Sequence, residues 1–132
     1  MTETDEIRPF RIDVPQAELD ELAAWLDTTR WTDEYEGVGW EYGTDPGYLK
    51  ELATYWRHGY DWREQEAHLN SFPHFTTEID GETVTFVHVR STGPNPTPLL
   101  LLHGWPDSVC RYLDLIPLLT DSFDVVVPWL IG

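Results

Sequence analysis

The sequence predicts a mixed α/β fold in which a helical prefix precedes a small β-sheet. Three observations carry this prediction. Apolar residues recur at helical spacing in the first half, β-branched and aromatic segments begin near residue 74, and a strand, a helix and a strand follow one another near the end. Such a unit forms a parallel strand pair with a right-handed crossover. We therefore expect a helical segment over residues 1–73 and a sheet segment over residues 74–132.

The prefix opens with an extended stretch, Ile7 to Val14, and continues with amphipathic helices. Asp13 is a suitable N-cap for the first helix, which has Pro15 in its first turn and should end near residues 28–30. Thr44 or Asp45 is expected to cap the second helix. The apolar positions that define these two helices are Leu19, Leu22, Trp25 and Leu26, then Tyr48, Leu49, Leu52, Tyr55 and Trp56.

A loop rich in glycine, tryptophan and acid, Trp31 to Gly43, separates these two helices. Its carboxylates at Glu34, Glu36 and Glu41 are read as a solvated face. Gly59 is expected to end the second helix, and Asp61 should begin a third that runs to Phe72-Pro73.

The sheet segment begins with a hairpin signal. Asp80-Gly81 separates two strand-like runs, Phe75 to Ile79 and Thr83 to Val89, and this dipeptide favours a two-residue turn. Leu99 to Leu102 is a short apolar run, typical of a strand covered on both faces. A helix over residues 112–119, kinked or shortened by Pro117, then leads to a buried strand over residues 123–128.

Charge restricts the partners. The chain has 24 acidic and 8 basic residues, giving a net charge of -16. Such a surface repels nucleic acid and anionic membranes, so we expect neither as a partner. Adaptation to high salt and a merely acidic composition both remain open as the origin of the charge.

Cysteine and hydropathy patterns indicate the compartment. Cys110 is the only cysteine, so no disulfide within the chain is expected. The first ten residues lack a positive and an apolar region typical of a secretion signal, and no apolar run approaches the roughly 18 residues of a membrane span. We expect a cytoplasmic protein.

The candidate site is the turn His103-Gly104-Trp105-Pro106, which follows the apolar strand. Sites in parallel α/β sheets form at the carboxyl ends of strands. Glycine allows a tight turn beside a ligand, and the peptide bond before Pro106 is a candidate for the cis form. If a helix begins at once, backbone N–H groups near its positive end suit a developing oxyanion. The alternative is a plain strand-to-helix turn.

Several motifs together carry a family resemblance. The run Leu99 to Pro106 resembles the oxyanion segment of α/β-hydrolases in the form found in epoxide hydrolases. From about Pro9 to Pro128 the chain resembles the N-terminal part of microsomal-type epoxide hydrolases. The segments that carry this resemblance are Trp40 to Thr44, Tyr48 to Leu52, Tyr55-Trp56, Tyr60 to Arg63, Leu69 to Pro73, Phe75 to Arg90 and Tyr112 to Leu119.

The resemblance implies an incomplete α/β-hydrolase sheet and a family chemistry. In that family an aspartate attacks the epoxide and forms an alkyl-enzyme ester, which a histidine-activated water cleaves to give a diol. Backbone N–H groups, one corresponding to Trp105, hold the oxyanion of the second step. The small-molecule epoxide is the expected substrate of the complete fold, without a metal or organic cofactor. The nucleophile, lid tyrosines, acid and base have no counterpart in this sequence, so the chain alone is expected to be inactive.

Two departures from the family pattern lie near the site. Asp107 replaces a frequent glycine, and an acid pointing inward would oppose an oxyanion. After Pro128 the chain reads Trp129 to Gly132 where the family usually has a small polar residue, a second proline and a glycine. This divergence indicates a truncated or disrupted reading frame, which the downstream DNA would test.

Other functional readings of these residues have less support in the sequence. Ser108, His103 and Asp107 are too close in sequence for a catalytic triad, because triads assemble from separate segments. The five histidines lack metal-ligand spacing. A non-catalytic remnant or interaction module is the alternative function. Its exposed sheet edge would bind a second copy or a complementing C-terminal fragment, so the isolated chain should dimerise or precipitate.

Overall fold

The computed structural model describes residues 6–33, 35 and 37–130. Its described residues form two compact units. One contains the residues up to Ile12 together with those from Arg63 onward, and the other is Asp13–Trp62. These are packing units, and the division into domains over residues 1–73 and 74–132 remains a prediction. Glu34, Glu36, Ile131 and Gly132 lie outside the described residues.

The first unit is built on a five-stranded mixed sheet in the order β1-β2-β3-β5-β4. This arrangement confirms the predicted α/β class. Neighbouring strands are antiparallel except for β4 and β5, which form the expected parallel pair. The strands are β1 (Arg8–Phe10), β2 (His74–Ile79), β3 (Glu82–Val89), β4 (Thr97–Leu100) and β5 (Phe123–Pro128).

The β2–β3 hairpin follows from its turn residues. Asp80 and Gly81 have φ values of 54° and 86°. A two-residue turn with positive φ at both positions matches the right-handed twist of the flanking strands. Ile79 therefore pairs directly with Glu82, which confirms the predicted turn and sets the register of the whole hairpin.

The extended N-terminal stretch also belongs to the sheet. Strand β1 pairs with β2, and Ile12 exchanges two hydrogen bonds with the Asn70 side chain: its N–H donates to Oδ1 at 2.9 Å, and its carbonyl accepts from Nδ2 at 2.8 Å. The sequence predicted the extended conformation but not these partners, because they lie about 60 residues away along the chain.

The core of the first unit lies under β3 and β5. Five side chains there are almost completely inaccessible to solvent: Val87, Val109, Ile116, Val125 and Val127. Trp129 packs against this cluster and its backbone N–H donates to the Thr85 carbonyl at 2.8 Å. The first residue of the divergent end is thus part of the folded structure.

One expectation for the sheet segment was wrong: strand β4 is not covered on both faces, since Leu100 is 58% exposed. The predicted shortening of the helix over residues 112–119 is confirmed, because only Ile116–Leu119 is α-helical, and the 3-10 helix Val109–Tyr112 precedes it. Proline lacks the N–H needed inside a helix, and Pro117 accordingly lies in the first turn of the second piece.

Three longer helices precede the hairpin: α1 (Gln16–Asp27), α2 (Pro46–His58) and α3 (Trp62–Leu69). The Ile116–Leu119 helix is α4. Asp45 caps α2 through its side chain, which accepts the Tyr48 N–H at 2.8 Å, and Gly59 ends that helix. These two predictions are confirmed, whereas Asp13 is not the cap of α1, because Pro15 occupies that position.

In the second unit, α1 and α2 are joined by an ion pair. The Arg57 guanidinium donates to both Asp27 carboxylate oxygens at 2.9 Å. This hydrogen-bonded cation holds the pKa of Asp27 below its ordinary value. The described residues between the two helices form turns, bends and irregular segments, and the Trp40 ring centroid lies 5.2 Å from that of Tyr48.

Candidate active site

The predicted turn lies at the carboxyl end of β4, as expected. The ladder extends one residue past the strand, since the Leu101 N–H donates to the Val126 carbonyl at 2.9 Å. The chain then turns, and the Asp107 N–H donates to the Gly104 carbonyl at 2.9 Å. The bond between Trp105 and Pro106 is cis. The turn therefore projects from the end of the sheet where sites form in parallel α/β proteins.

His103 ties the turn to the segment that follows β5. Its Nδ1 lies 3.2 Å from the Gly104 carbonyl oxygen, and its Nε2 lies 3.4 Å from the Leu130 N–H. A neutral imidazole has one donor and one acceptor nitrogen. Nδ1 must therefore carry the proton, and Nε2 accepts from Leu130. Both ring nitrogens of His103 therefore have backbone partners.

Two backbone donors of the turn are left without a protein partner. Among the described residues, neither the Gly104 N–H nor the Trp105 N–H makes a hydrogen bond. The Trp105 side chain is 95% exposed. A Cβ added at Gly104 would contact nothing within 4 Å, and its φ lies outside the left-handed region. The packing of this chain therefore does not itself require glycine at that position.

The carboxylate of Asp107 is fully engaged on the side of the following 3-10 helix. Oδ1 accepts the Ser108 N–H at 2.8 Å, and Oδ2 accepts from Arg111 Nε. The Ser108 N–H and the Arg111 guanidinium hold the pKa of Asp107 below its ordinary value. An acid whose charge is paired in this way opposes a nearby oxyanion much less than a free one does.

The hydrogen bonds exclude a triad of His103, Asp107 and Ser108 in this arrangement. The Ser108 hydroxyl caps the 3-10 helix by accepting the Cys110 N–H at 3.3 Å. Asp107 is bonded to Ser108 N–H and Arg111, and His103 is bonded to backbone groups. No relay joins the three side chains, as their closeness in sequence predicted.

The expected contribution of a helix dipole was wrong. The element after the turn is a 3-10 helix of four residues, Val109–Tyr112. A macrodipole needs several aligned turns, so this element adds little positive potential. Any stabilisation of an anion must come from the individual N–H groups of the turn.

An open depression of about 590 Å³ borders the turn. It includes two residues that sequence reasoning missed. Arg111 pairs with Asp107, and the Tyr112 hydroxyl donates to the Leu102 carbonyl at 2.6 Å. The spacing of Asp107 and Arg111, four residues apart, was the available signal for the first. The depression is lined by Leu102, His103, Gly104, Trp105, Pro106, Asp107, Arg111 and Tyr112.

Two further features of the described residues concern metal ions and membranes. Within residues 6–33, 35 and 37–130, no three or more His, Cys, Asp or Glu side chains are grouped so that they could hold a metal ion. None of the helices in the described residues is long and apolar enough to cross a membrane.

Comparisons with known proteins find relatives over nearly the whole chain. Residues 7–112 fit the family model described as the epoxide hydrolase N terminus. Epoxide hydrolase 1 of Oryctolagus cuniculus is 38% identical over 144 aligned residues, covering 98% of this chain and 32% of that protein. The structure of juvenile hormone epoxide hydrolase from the silkworm Bombyx mori superposes with a TM-score of 0.89 at 33% identity, covering 98% of this chain and 37% of that one. Aspergillus niger epoxide hydrolase gives 0.86 at 33% identity, covering 96% and 36%.

The chain thus spans about a third of the length of the relatives that it matches. The matched region includes the whole sheet and the turn at its end. These comparisons leave the roles of His103, Gly104, Trp105 and Pro106 untested.

Proposed function

Because this chain belongs to the epoxide hydrolase family, we propose that its turn at residues 103–106 supplies the oxyanion-binding N–H groups of an epoxide hydrolase. The substrate is a small-molecule epoxide, and the product is a diol. The family chemistry passes through an ester between a carboxylate and the opened epoxide. Water attacks the carbonyl carbon of that ester. The carbonyl oxygen of the ester becomes negatively charged in the tetrahedral intermediate.

One observation carries this proposal: two neighbouring N–H groups, of Gly104 and Trp105, have no partner among the described residues and lie at the carboxyl end of β4. Preorganised donors of this kind stabilise developing charge, and loss of one costs about 100- to 1,000-fold in rate. The Arg111 guanidinium supports the same role indirectly, because it neutralises the nearest acid of the turn.

We propose that the nucleophile and the water-activating base lie outside the described residues, since both ring nitrogens of His103 have backbone partners. The chain alone should therefore give no turnover of an epoxide such as styrene oxide. Turnover by the purified chain alone would contradict the assignment of the missing groups.

The test of the turn uses a chimera in which this chain is joined to the remaining two thirds of a matched epoxide hydrolase. Trp105→Pro removes the N–H, and Trp105→Phe keeps it while changing the ring. Single-turnover kinetics should show normal formation of the ester in both variants. Ester hydrolysis should slow about 100-fold or more only in Trp105→Pro. Equal hydrolysis rates in the two variants would refute the role of this N–H.

A second candidate function is association through the edge of the sheet. Strand β4 pairs only with β5 among the described strands, so one of its sides is open. Unpaired strand edges bind other strands, and the partner is proposed to be a second copy or a complementing C-terminal fragment. Sedimentation of the isolated chain tests this function, and a monomer at all concentrations would contradict it.

A further inference from the structure

The ladder between β4 and β5 ends before the turn at residues 103–106. Its last bond runs from the Leu101 N–H to the Val126 carbonyl at 2.9 Å. In a strand every second residue faces the same neighbour, so the next residue of β5 on this side is Pro128. Proline has no N–H to donate. The ladder therefore offers the carbonyl groups ahead of the turn no further donor from β5.

The shortest hydrogen bond at the start of the turn comes from Tyr112. Its hydroxyl donates to the Leu102 carbonyl at 2.6 Å, one residue before His103. The contact between the His103 ring and the Leu130 N–H is 3.4 Å long. Bonds from a hydroxyl to an oxygen are commonly about 2.7–2.8 Å long, and those from an N–H about 2.7–3.2 Å. The tyrosine bond is thus short and the histidine contact long, so Tyr112 contributes most to fixing this end of the turn.

Tyr112 can act as an anchor because its own ring is held. It is the last residue of the 3-10 helix, and its ring packs against the buried cluster that contains Val109 and Ile116. Side chains packed against a dense core keep a single rotamer, so the hydroxyl of this ring has a fixed position. The Leu102 carbonyl is therefore tied to the core of the first unit.

The end of the turn is held from the same 3-10 helix. Arg111 binds the Asp107 carboxylate, and the Asp107 N–H donates to the Gly104 carbonyl at 2.9 Å. Arg111 and Tyr112 are neighbours in that helix. One short element therefore holds the residues before and after the two N–H groups of the turn that have no partner among the described residues.

From this arrangement we propose that Tyr112 is a positioning residue, which acts through Leu102 to fix the two oxyanion-binding N–H groups of the turn. This role rests on the proposed function of those groups. Donors stabilise an oxyanion because they are in place before the charge develops, and small displacements cost large factors in rate. The Tyr112 hydroxyl bonds to a carbonyl of its own chain. Its loss therefore changes the geometry of the turn without removing an oxyanion donor or a charge.

Tyr112→Phe tests this role in the chimera described above. Phenylalanine keeps the ring against the core and removes only the hydroxyl. The ester should form at the parent rate, whereas its hydrolysis should slow about tenfold, less than in Trp105→Pro, which loses an N–H. A general loosening of the fold would not single out the second step. Tyr55→Phe, which removes a hydroxyl from an exposed tyrosine of α2, is the matched control and should leave both steps unchanged.

Amide dynamics of the chain itself give a readout that does not depend on catalysis. The ¹⁵N order parameters of the Gly104 and Trp105 amides should be about 0.85 in the parent chain, typical of a rigid backbone, and should fall towards about 0.6 in Tyr112→Phe. Unchanged hydrolysis in Tyr112→Phe, in a chimera that Trp105→Pro does slow, refutes the positioning role and leaves the proposed function standing. If neither variant slows hydrolysis, the proposed function fails, and order parameters unchanged by Tyr112→Phe then show that the hydroxyl does not fix the turn.

Discussion

Gly93 lies so close to the backbone of Asp121 that Gly93→Ala is expected to lower the free energy of unfolding. A Cβ at Gly93 would lie 2.2 Å from the Asp121 carbonyl oxygen. Hydrogen bonds flank this contact on both sides: the Thr92 N–H donates to the Thr120 carbonyl, and the Thr97 N–H donates to Ser122, each at 3.0 Å. The two backbone segments cannot separate without loss of these bonds, so Gly93→Ala must strain or break them.

The magnitude follows from two opposing effects. Gly93 is not in the left-handed region, so alanine is compatible with its φ. Alanine would then stabilise the fold by about 0.4–1 kcal/mol, because it restricts the unfolded chain. Forcing one extra carbon into a filled space costs about 1–3 kcal/mol, and each lost backbone hydrogen bond adds about 0.5–1.5 kcal/mol. We expect Gly93→Ala to destabilise the chain by about 2 kcal/mol.

Gly104→Ala is the matched control, since a Cβ at Gly104 meets nothing within 4 Å. It should leave the free energy of unfolding unchanged or raise it by up to about 1 kcal/mol. Urea unfolding followed by circular dichroism measures both variants, and equal m-values establish that the same unfolding is compared. Gly93→Ala as stable as the parent chain, or Gly104→Ala destabilised as much as Gly93→Ala, would refute the packing argument.

Three further outcomes are expected in urea unfolding. The lowered pKa of Asp107 means that its ionised form stabilises the fold above its ordinary pKa of about 3.9, and that this stabilisation is lost as pH falls through the lower folded value. The stability difference between the parent chain and Asp107→Asn should therefore vanish in acid, and a difference constant from pH 7 to 3 would contradict the pairing. Burial lowers the pKa of His88, so protonation favours the unfolded chain and stability should fall as pH drops below about 6.5. His88→Gln should remove that part of the pH dependence, and an unchanged slope would count against it. Ile116→Ala, in the core, should cost about 2–5 kcal/mol, whereas Leu118→Ala, at a side chain 77% exposed, should cost less than about 0.5. Similar losses in both would contradict the placement of the core.

The features that the sequence predicted correctly depend on local geometry. Asp80-Gly81 fixes the hairpin because both residues accept positive φ. Asp45 caps α2 because its carboxylate reaches the N–H three residues later. In each case the interacting groups are a few residues apart, so the types of the neighbouring residues are enough to predict the interaction.

The wrong or missing features depend on groups distant along the chain. The apolar composition of Leu99–Leu102 is typical of a strand covered on both faces, but coverage depends on which elements pack there, and Leu100 remains exposed. The pairing of Ile12 with Asn70 and the sheet position of β1 were likewise absent from any local pattern. Pro117 predicted that the helix would be interrupted, yet the 3-10 geometry of Val109–Tyr112 was not readable from it.

The position of the candidate site was predictable from local sequence, but its electrostatics depend on the ion pair between Asp107 and Arg111, which was not predicted. Asp107 is the first charged residue after the uncharged stretch that ends at Pro106. A free carboxylate beside an oxyanion would oppose its negative charge. Arg111 prevents much of this repulsion because its guanidinium binds that carboxylate directly. Twelve uncharged residues, Ser91 to Leu102, therefore precede the turn, and an acid paired with Arg111 follows it. In a chain of net charge -16, this is the local environment that the anionic intermediate proposed to form at the turn requires.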